Sequence, residues 1–361
     1  MEISGDPGTV NKFTVLFLLY FLVIFVSAAR ADSGVAQAQA AKVVTTLPPG
    51  LSSVASDQPS VQPLVEYGEF LFFFYMLSHD QSVSCGSCHV ARFGNADSRQ
   101  LAVGVDGRVG RRRSPPLFNL FAAKTLMLDG RAASLVDQVH FPLESADEMA
   151  IDWTDSLQRL RDLPQTRHLL SARPPAVLDR DLVIAALAAY DRTLVAGGSA
   201  FDRYYFGKDE RAISDEAKEG FRLFVRKGRC SGCHQVTAVS AMLTDDNFHS
   251  TGIGWADGKY ADDGRFEVTG AETDKGLFKT PTLRNVALRP YFMHDGSLRS
   301  LREVIDYYNR GGNHGAANLD GRIQPLSLSQ TEIQQILAFL DTLSAEVVSY
   351  RPWLGKMGGG Q

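Results

Sequence analysis

Cysteine is scarce in this 361-residue sequence, and none of it is spare. All four cysteines fall in two copies of one motif, Cys85-Gly86-Ser87-Cys88-His89 and Cys230-Ser231-Gly232-Cys233-His234. No cysteine is left for a structural disulfide. Excess positive charge is also missing. Lys and Arg number 37 against 41 Asp and Glu, a formal net charge of −4, which argues against a nucleic-acid binder. Strand-like alternation is short and rare, and there is no internal repeat beyond the two motifs.

What is present is Cys-x-x-Cys-His, the attachment motif for c-type haem. Two thiols add across the haem vinyl groups, and the adjacent histidine becomes the proximal iron ligand. A zinc site would need four cysteines on one metal or further ligands at short spacing, whereas these motifs stand 145 residues apart. A redox dithiol would sit in a βαβ context, and the surroundings read helical. The sequence therefore predicts two covalently bound haem c groups, held by Cys85, Cys88 and His89 and by Cys230, Cys233 and His234.

Residues 13–29 are almost wholly apolar, preceded by Lys12 and followed by Ala29-Arg30-Ala31. That pattern reads as a secretory signal peptide over 1–31, with an uncleaved membrane anchor as the alternative. Export to the periplasm agrees with haem attachment outside the cytoplasm, and cleavage would leave no membrane association. Residues 32–61, rich in Ala, Ser, Gln, Val and Pro, read as a disordered linker. Helices are expected over 64–77, over 179–195 after an Asp179 cap, and after Ser214. Capping boxes are expected at Ser300/Glu303 and Ser329/Glu332. The predicted fold is mainly α, with two cytochrome c-like helical domains over 62–210 and 211–346 and a tail over 347–361.

From about Leu64 to Leu343 the chain resembles the bacterial di-haem cytochrome c peroxidases and their relative MauG. The resemblance is carried by Ser82-Val83-Ser84 before the first motif, Leu101-Ala102-Val103-Gly104, Asp129-Gly130-Arg131-Ala132, Thr280-Pro281-Thr282-Leu283-Arg284-Asn285 and His294-Asp295-Gly296-Ser297-Leu298. It implies a periplasmic enzyme in which one haem meets hydrogen peroxide and the other relays electrons. The family's distal Gln, with Pro four residues later and a catalytic Glu ten residues later, matches Gln138, Pro142 and Glu148. Glu148 would shuttle the peroxide proton, Gln138 would donate a hydrogen bond to bound peroxide, and Pro142 would shape the pocket. Glu144 is the rival acid. His140, or less readily His79, is the rival ligand at the first iron.

The second haem decides the subtype. Fourteen residues after His294, where conventional peroxidases carry an axial Met and MauG-like proteins a Tyr, stands Tyr308. Met293, Met242 and Tyr307 are the alternatives. A phenolate lowers the iron's potential, whereas a thioether raises it.

Three departures stand out. Leu128 occupies the place of the inter-haem Trp. Arg113 replaces an Asn that helps hold calcium, and a guanidinium has no acceptor atoms, so calcium is not expected there. The proline of Arg289-Pro290-Tyr291-Phe292-Met293 lies one place early. The leading expectation is a MauG-like enzyme that uses peroxide to oxidise a substrate, a partner protein, at long range. Two alternatives remain: a conventional peroxidase fed by a small cytochrome or copper protein, and a non-catalytic di-haem electron carrier.

Overall fold

The computed structural model describes residues 42–44, 46–51 and 62–351. The signal segment expected over 1–31 lies outside them, as do residues 52–61 and 352–361. Eleven helices order the described chain. They are α1 (Gln62–Phe72), α2 (Cys85–Cys88), α3 (Leu135–Glu144), α4 (Trp153–Arg161), α5 (Pro164–Ala172), α6 (Arg180–Thr193), α7 (Ala200–Tyr205), α8 (Asp215–Val225), α9 (Phe266–Thr269), α10 (Leu301–Asn309) and α11 (Gln330–Asp341). A 3₁₀ turn, Cys230–Gly232, carries the second motif.

Helix starts follow side-chain caps, which satisfy N–H groups that lack intrahelical partners. Asp179 accepts from the Leu182 N–H at 2.8 Å, Ser214 from Ala217, and Ser329 with Glu332 completes a reciprocal box. At α10 only half of the expected box forms. Ser300 accepts from the Glu303 N–H, but the Glu303 carboxylate takes the Arg299 N–H at 2.7 Å instead of that of Ser300.

Two apolar cores result. The first gathers α1, α3 and α6 around Leu71, Leu143, Leu160 and Leu187, and reaches on to Val347. The second packs Phe201, Phe224, Ile333, Ile336 and Phe339, with Phe201 edge-on to Phe339 at 5.2 Å between centroids. Phe201 thus places α7 with the second core, earlier in the chain than the expected division at 210.

Two further expectations need correction. Within the expected linker, strand β1 (Lys42–Val44) pairs in parallel with β7 (Val347–Tyr350) in the expected tail, and β7 pairs antiparallel with β2 (Leu194–Ala196). Short strands of this kind satisfy each other's backbone groups over long sequence separations, which a local pattern does not reveal. Two small two-stranded sheets complete the fold, β3 (Phe248–Ser250) with β6 (Leu277–Lys279), and β4 (Trp255–Ala256) with β5 (Lys259–Tyr260).

Buried ion pairs hold α7 in the second half and join that half to the first. Arg284, 1 % exposed, grips Asp202 with two hydrogen bonds of 2.7 and 3.0 Å and also donates to the Ala241 and Gly50 carbonyls. Removing one partner of such a pair strands the other charge in the core. Arg284→Ala is therefore expected to cost about 3–5 kcal/mol of stability. Urea denaturation checks this, and a loss below about 1 kcal/mol, the scale of an exposed pair, would contradict it. Arg112 spans the two halves by donating to Asp129 and to Asp262. Gly130 sits at this junction with φ +72°, where a Cβ would lie 2.2 Å from the Phe248 ring, so only glycine fits without a shift.

Candidate haem and peroxide site

The first motif opens onto a narrow cleft. Cys85, Cys88 and His89 line it together with Gln138, Pro142 and Glu148. The three residues named by spacing are thus brought into one cavity with the haem motif. Its walls are otherwise largely apolar, with Val83, Val103, Leu117, Leu143 and Leu187 among them, as suits a porphyrin.

His89 Nδ1 lies 3.2 Å from the Asn95 carbonyl. A carbonyl only accepts, so Nδ1 donates and the Nε2 lone pair is left for iron. Burial holds this imidazole neutral, its pKa lowered to about 4. Burial also pushes the Cys88 thiol up to about 11 and that of Cys85 further. Such thiols form poor thiolates, which disfavours a reactive dithiol and leaves a thioether link unaffected.

Local backbone geometry explains where Glu148 sits. Ser134 caps α3, which presents Gln138 on its buried face. Pro142, inside α3, lacks the N–H that would continue the helix. The chain then folds back, with Met149 N–H donating to the Pro142 carbonyl and Ile151 N–H to that of Leu143. The Val105 N–H donates to the Glu148 carbonyl at 2.8 Å. Gly104 packs so closely that a Cβ there would lie 2.2 Å from the Asp147 oxygen.

Burial raises the Glu148 pKa, the Arg131 guanidinium opposes that shift, and Asp147 adds to it. Gln138 is buried with its Oε1 unpartnered, a group that awaits something in the cavity. The rivals lie elsewhere. Glu144 is exposed and paired with Arg180 at 2.8 Å, His140 Nδ1 is within 2.9 Å of Arg180 Nη2, and His79 is exposed.

At the second motif, His234 Nδ1 lies 2.9 Å from the Leu243 carbonyl, again leaving Nε2 free. Burial lowers the His234 pKa. Tyr307 and Tyr308 divide their roles on α10. The Tyr307 hydroxyl donates to the Thr251 carbonyl at 2.6 Å. Burial raises the Tyr308 phenol, with further contributions from Tyr307, Cys233 and Cys230, so Tyr308 lies within electrostatic reach of the second motif's cysteines. Met242 packs against Leu51, Val195 and Val348 instead. Met293 has φ +68°.

The family profile for di-haem cytochrome c peroxidase matches residues 62–210. The methylamine utilization protein MauG of Methylorubrum extorquens is 37% identical over 296 residues, covering 80% of this chain and 81% of the relative. The chain belongs to the MauG and di-haem cytochrome c peroxidase family. Cytochrome c551 peroxidase of Nitrosomonas europaea is 30% identical over 298 residues, 81% of this chain and 83% of that one. The crystal structure of a MauG-like protein associated with microbial copper homeostasis superposes with a TM-score of 0.75 at 28% identity, over 84% of this chain and 94% of that one. As a member of this family the protein is a peroxidase-type oxidoreductase with haem cofactors. The residues present fit that group: each motif has a buried imidazole with a free Nε2, and the first adds a largely apolar cleft into which Gln138 brings an oxygen without a partner among the described residues.

Sequence reasoning missed Asp191. It lies on α6, is 4 % exposed, and lines the first cleft beside Glu148 with Oδ1 unpartnered. Burial alone pushes its pKa up to about 7. Only its place among apolar positions of α6 could have flagged it. At the position of the family's inter-haem Trp, the Leu128 carbonyl accepts from the Lys279 N–H. The neighbouring Phe278 stacks on His294 at 3.8 Å.

Proposed function

We propose that this chain is a MauG-like periplasmic enzyme carrying two covalent haem c groups, in which His89 would ligate the first iron and His234 and Tyr308 would ligate the second. Peroxide reacts at the first site, and a partner protein is oxidised at a distance. The observation that carries the proposal is the pairing of a carboxyl-bearing cleft at the first motif with a buried phenol, Tyr308, within electrostatic reach of the second motif's cysteines.

When bound, the first haem supplies an iron that takes up hydrogen peroxide and electrons that cleave its O–O bond. Glu148 would take a proton from one peroxide oxygen and return it to the other, which would leave as water. Gln138 steadies peroxide by hydrogen bonding, and Pro142 keeps the end of α3 clear of it. Overall, one peroxide accepts two electrons and two protons to give two waters, and the substrate is oxidised by two electrons. Without iron, burial keeps the Tyr308 phenol protonated. A ferric ion would supply the positive charge that makes phenolate the favoured form. The calcium site of the family has no counterpart in this proposal, because Arg113 brings a cation of its own.

Steady-state assays with peroxide and a reduced small cytochrome separate this reading from a conventional peroxidase. The expected result is slow turnover with the cytochrome but rapid optical change at both haems on peroxide addition. Fast, sustained cytochrome oxidation would favour the conventional reading, and no reaction with peroxide would favour a simple electron carrier.

A further inference from the structure

Four arginines are buried among the described residues: Arg113, Arg284, Arg289 and Arg351. Arg284 pairs with Asp202 and Arg351 with Glu69. Among the described residues, Arg113 and Arg289 have no carboxylate partner. Arg113 reaches only the Met293 carbonyl through Nε, at 3.4 Å, and its Nη1 has no acceptor. Arg289 donates through Nη2 to the Thr282 and Arg284 carbonyls, and its Nε has no acceptor.

The Arg113 charge repels that of Arg289. Burial, with repulsion from Arg113, lowers the Arg289 pKa to about 9, and burial lowers that of Arg113 to about 10. Two like charges buried together without a counter-ion are unfavourable, so the arrangement calls for an anion.

Each member of the pair is linked to one haem motif. The Arg113 N–H donates to the His294 carbonyl at 2.8 Å, and its side chain feels Asp97. Asp97 holds Arg99, which donates to Cys88 Sγ of the first motif. The Arg289 charge reaches His234 of the second. A guanidinium fork matches a carboxylate better than any other common anion except phosphate. Each haem carries two propionate carboxylates.

We infer that Arg113 and Arg289 form a carboxylate-binding pair that receives haem propionates at the junction of the two haems and holds up the potential of the second haem. This rests on the proposal that both motifs carry haem. A nearby cation favours the reduced, less positive haem, so its loss lowers the potential.

The test uses the full haem-loaded chain. A pyridine haemochrome spectrum first counts c-type haem, and fewer than two per chain would sink the underlying reading separately. Optical redox titrations then compare the wild type with Arg289→Gln, Arg113→Gln and Arg289→Lys, each in chloride- and phosphate-free buffer and with either anion added. The expected result is a downward shift of the second haem's potential in both Gln variants, recovery in Arg289→Lys, and no dependence on added anion. Unchanged potentials in the Gln variants at full haem content would overturn the inference. So would wild-type potentials that move and saturate with chloride or phosphate, since a small inorganic anion would then fill the pair. If Arg289→Gln does not fold, Arg113→Gln decides, and an unshifted potential there overturns the inference.

Discussion

Glu148→Gln is expected to slow the reaction of the ferric protein with peroxide by about 10²–10⁴-fold, the usual weight of a positioned acid–base group. Gln keeps the shape and polarity of Glu but cannot take up and return a proton. Both haems should remain bound, because Glu148 touches the cavity and not the attachment cysteines' bonds. The pH profile adds a second signature. Glu148 must be ionised to accept the peroxide proton, and burial raises its pKa. The rate should therefore fall on the acid side at a pH above the ordinary carboxylate value, and that limb should vanish in the variant. Glu144→Gln is the control. Glu144 is exposed and paired with Arg180, so its loss should leave the rate unchanged. Stopped-flow mixing with peroxide reads both variants, and an unaltered Glu148→Gln rate would remove Glu148 from the mechanism.

Tyr308→Met is expected to raise the second haem's potential by on the order of hundreds of millivolts, within the roughly 0.8 V range that axial ligands command. Phenolate is hard and anionic and stabilises the ferric state, whereas a thioether is neutral and soft and favours the ferrous state. The neighbouring tyrosine tests the assignment. Tyr307→Phe deletes the hydrogen bond to the Thr251 carbonyl without changing an axial ligand, so the potential should hardly move. Spectroelectrochemical titration distinguishes the two. A potential unmoved by Tyr308→Met, or moved equally by Tyr307→Phe, would mean that Tyr308 is not on the iron.

Local signals in the sequence were legible where one residue satisfies a backbone group close by. Asp179, Ser214 and Ser329 announced helix starts because capping is a matter of three residues. The Gln138, Pro142 and Glu148 set was legible as a spacing, and the fold gives it one cavity because the chain doubles back after Pro142. Long-range features were not legible. Strand β1 and strand β7 are three and four residues long, too short to show a period, and lie some 300 positions apart in the chain. Phe201 reads as part of the first domain, expected over 62–210, until Phe221 and Phe339 close around it. The missing carboxylate partners of Arg113 and Arg289 emerge only once burial and neighbours are known. Arg113 stood out in sequence as an unsuitable calcium ligand, but nothing there showed that Arg289 would join it.

Electron paramagnetic resonance of the resting ferric protein, repeated after one equivalent of peroxide, tests the inequivalence of the two sites most directly. The account predicts one high-spin and one low-spin ferric signal per chain, with both diminishing on peroxide addition. Two low-spin signals that persist in peroxide would contradict it.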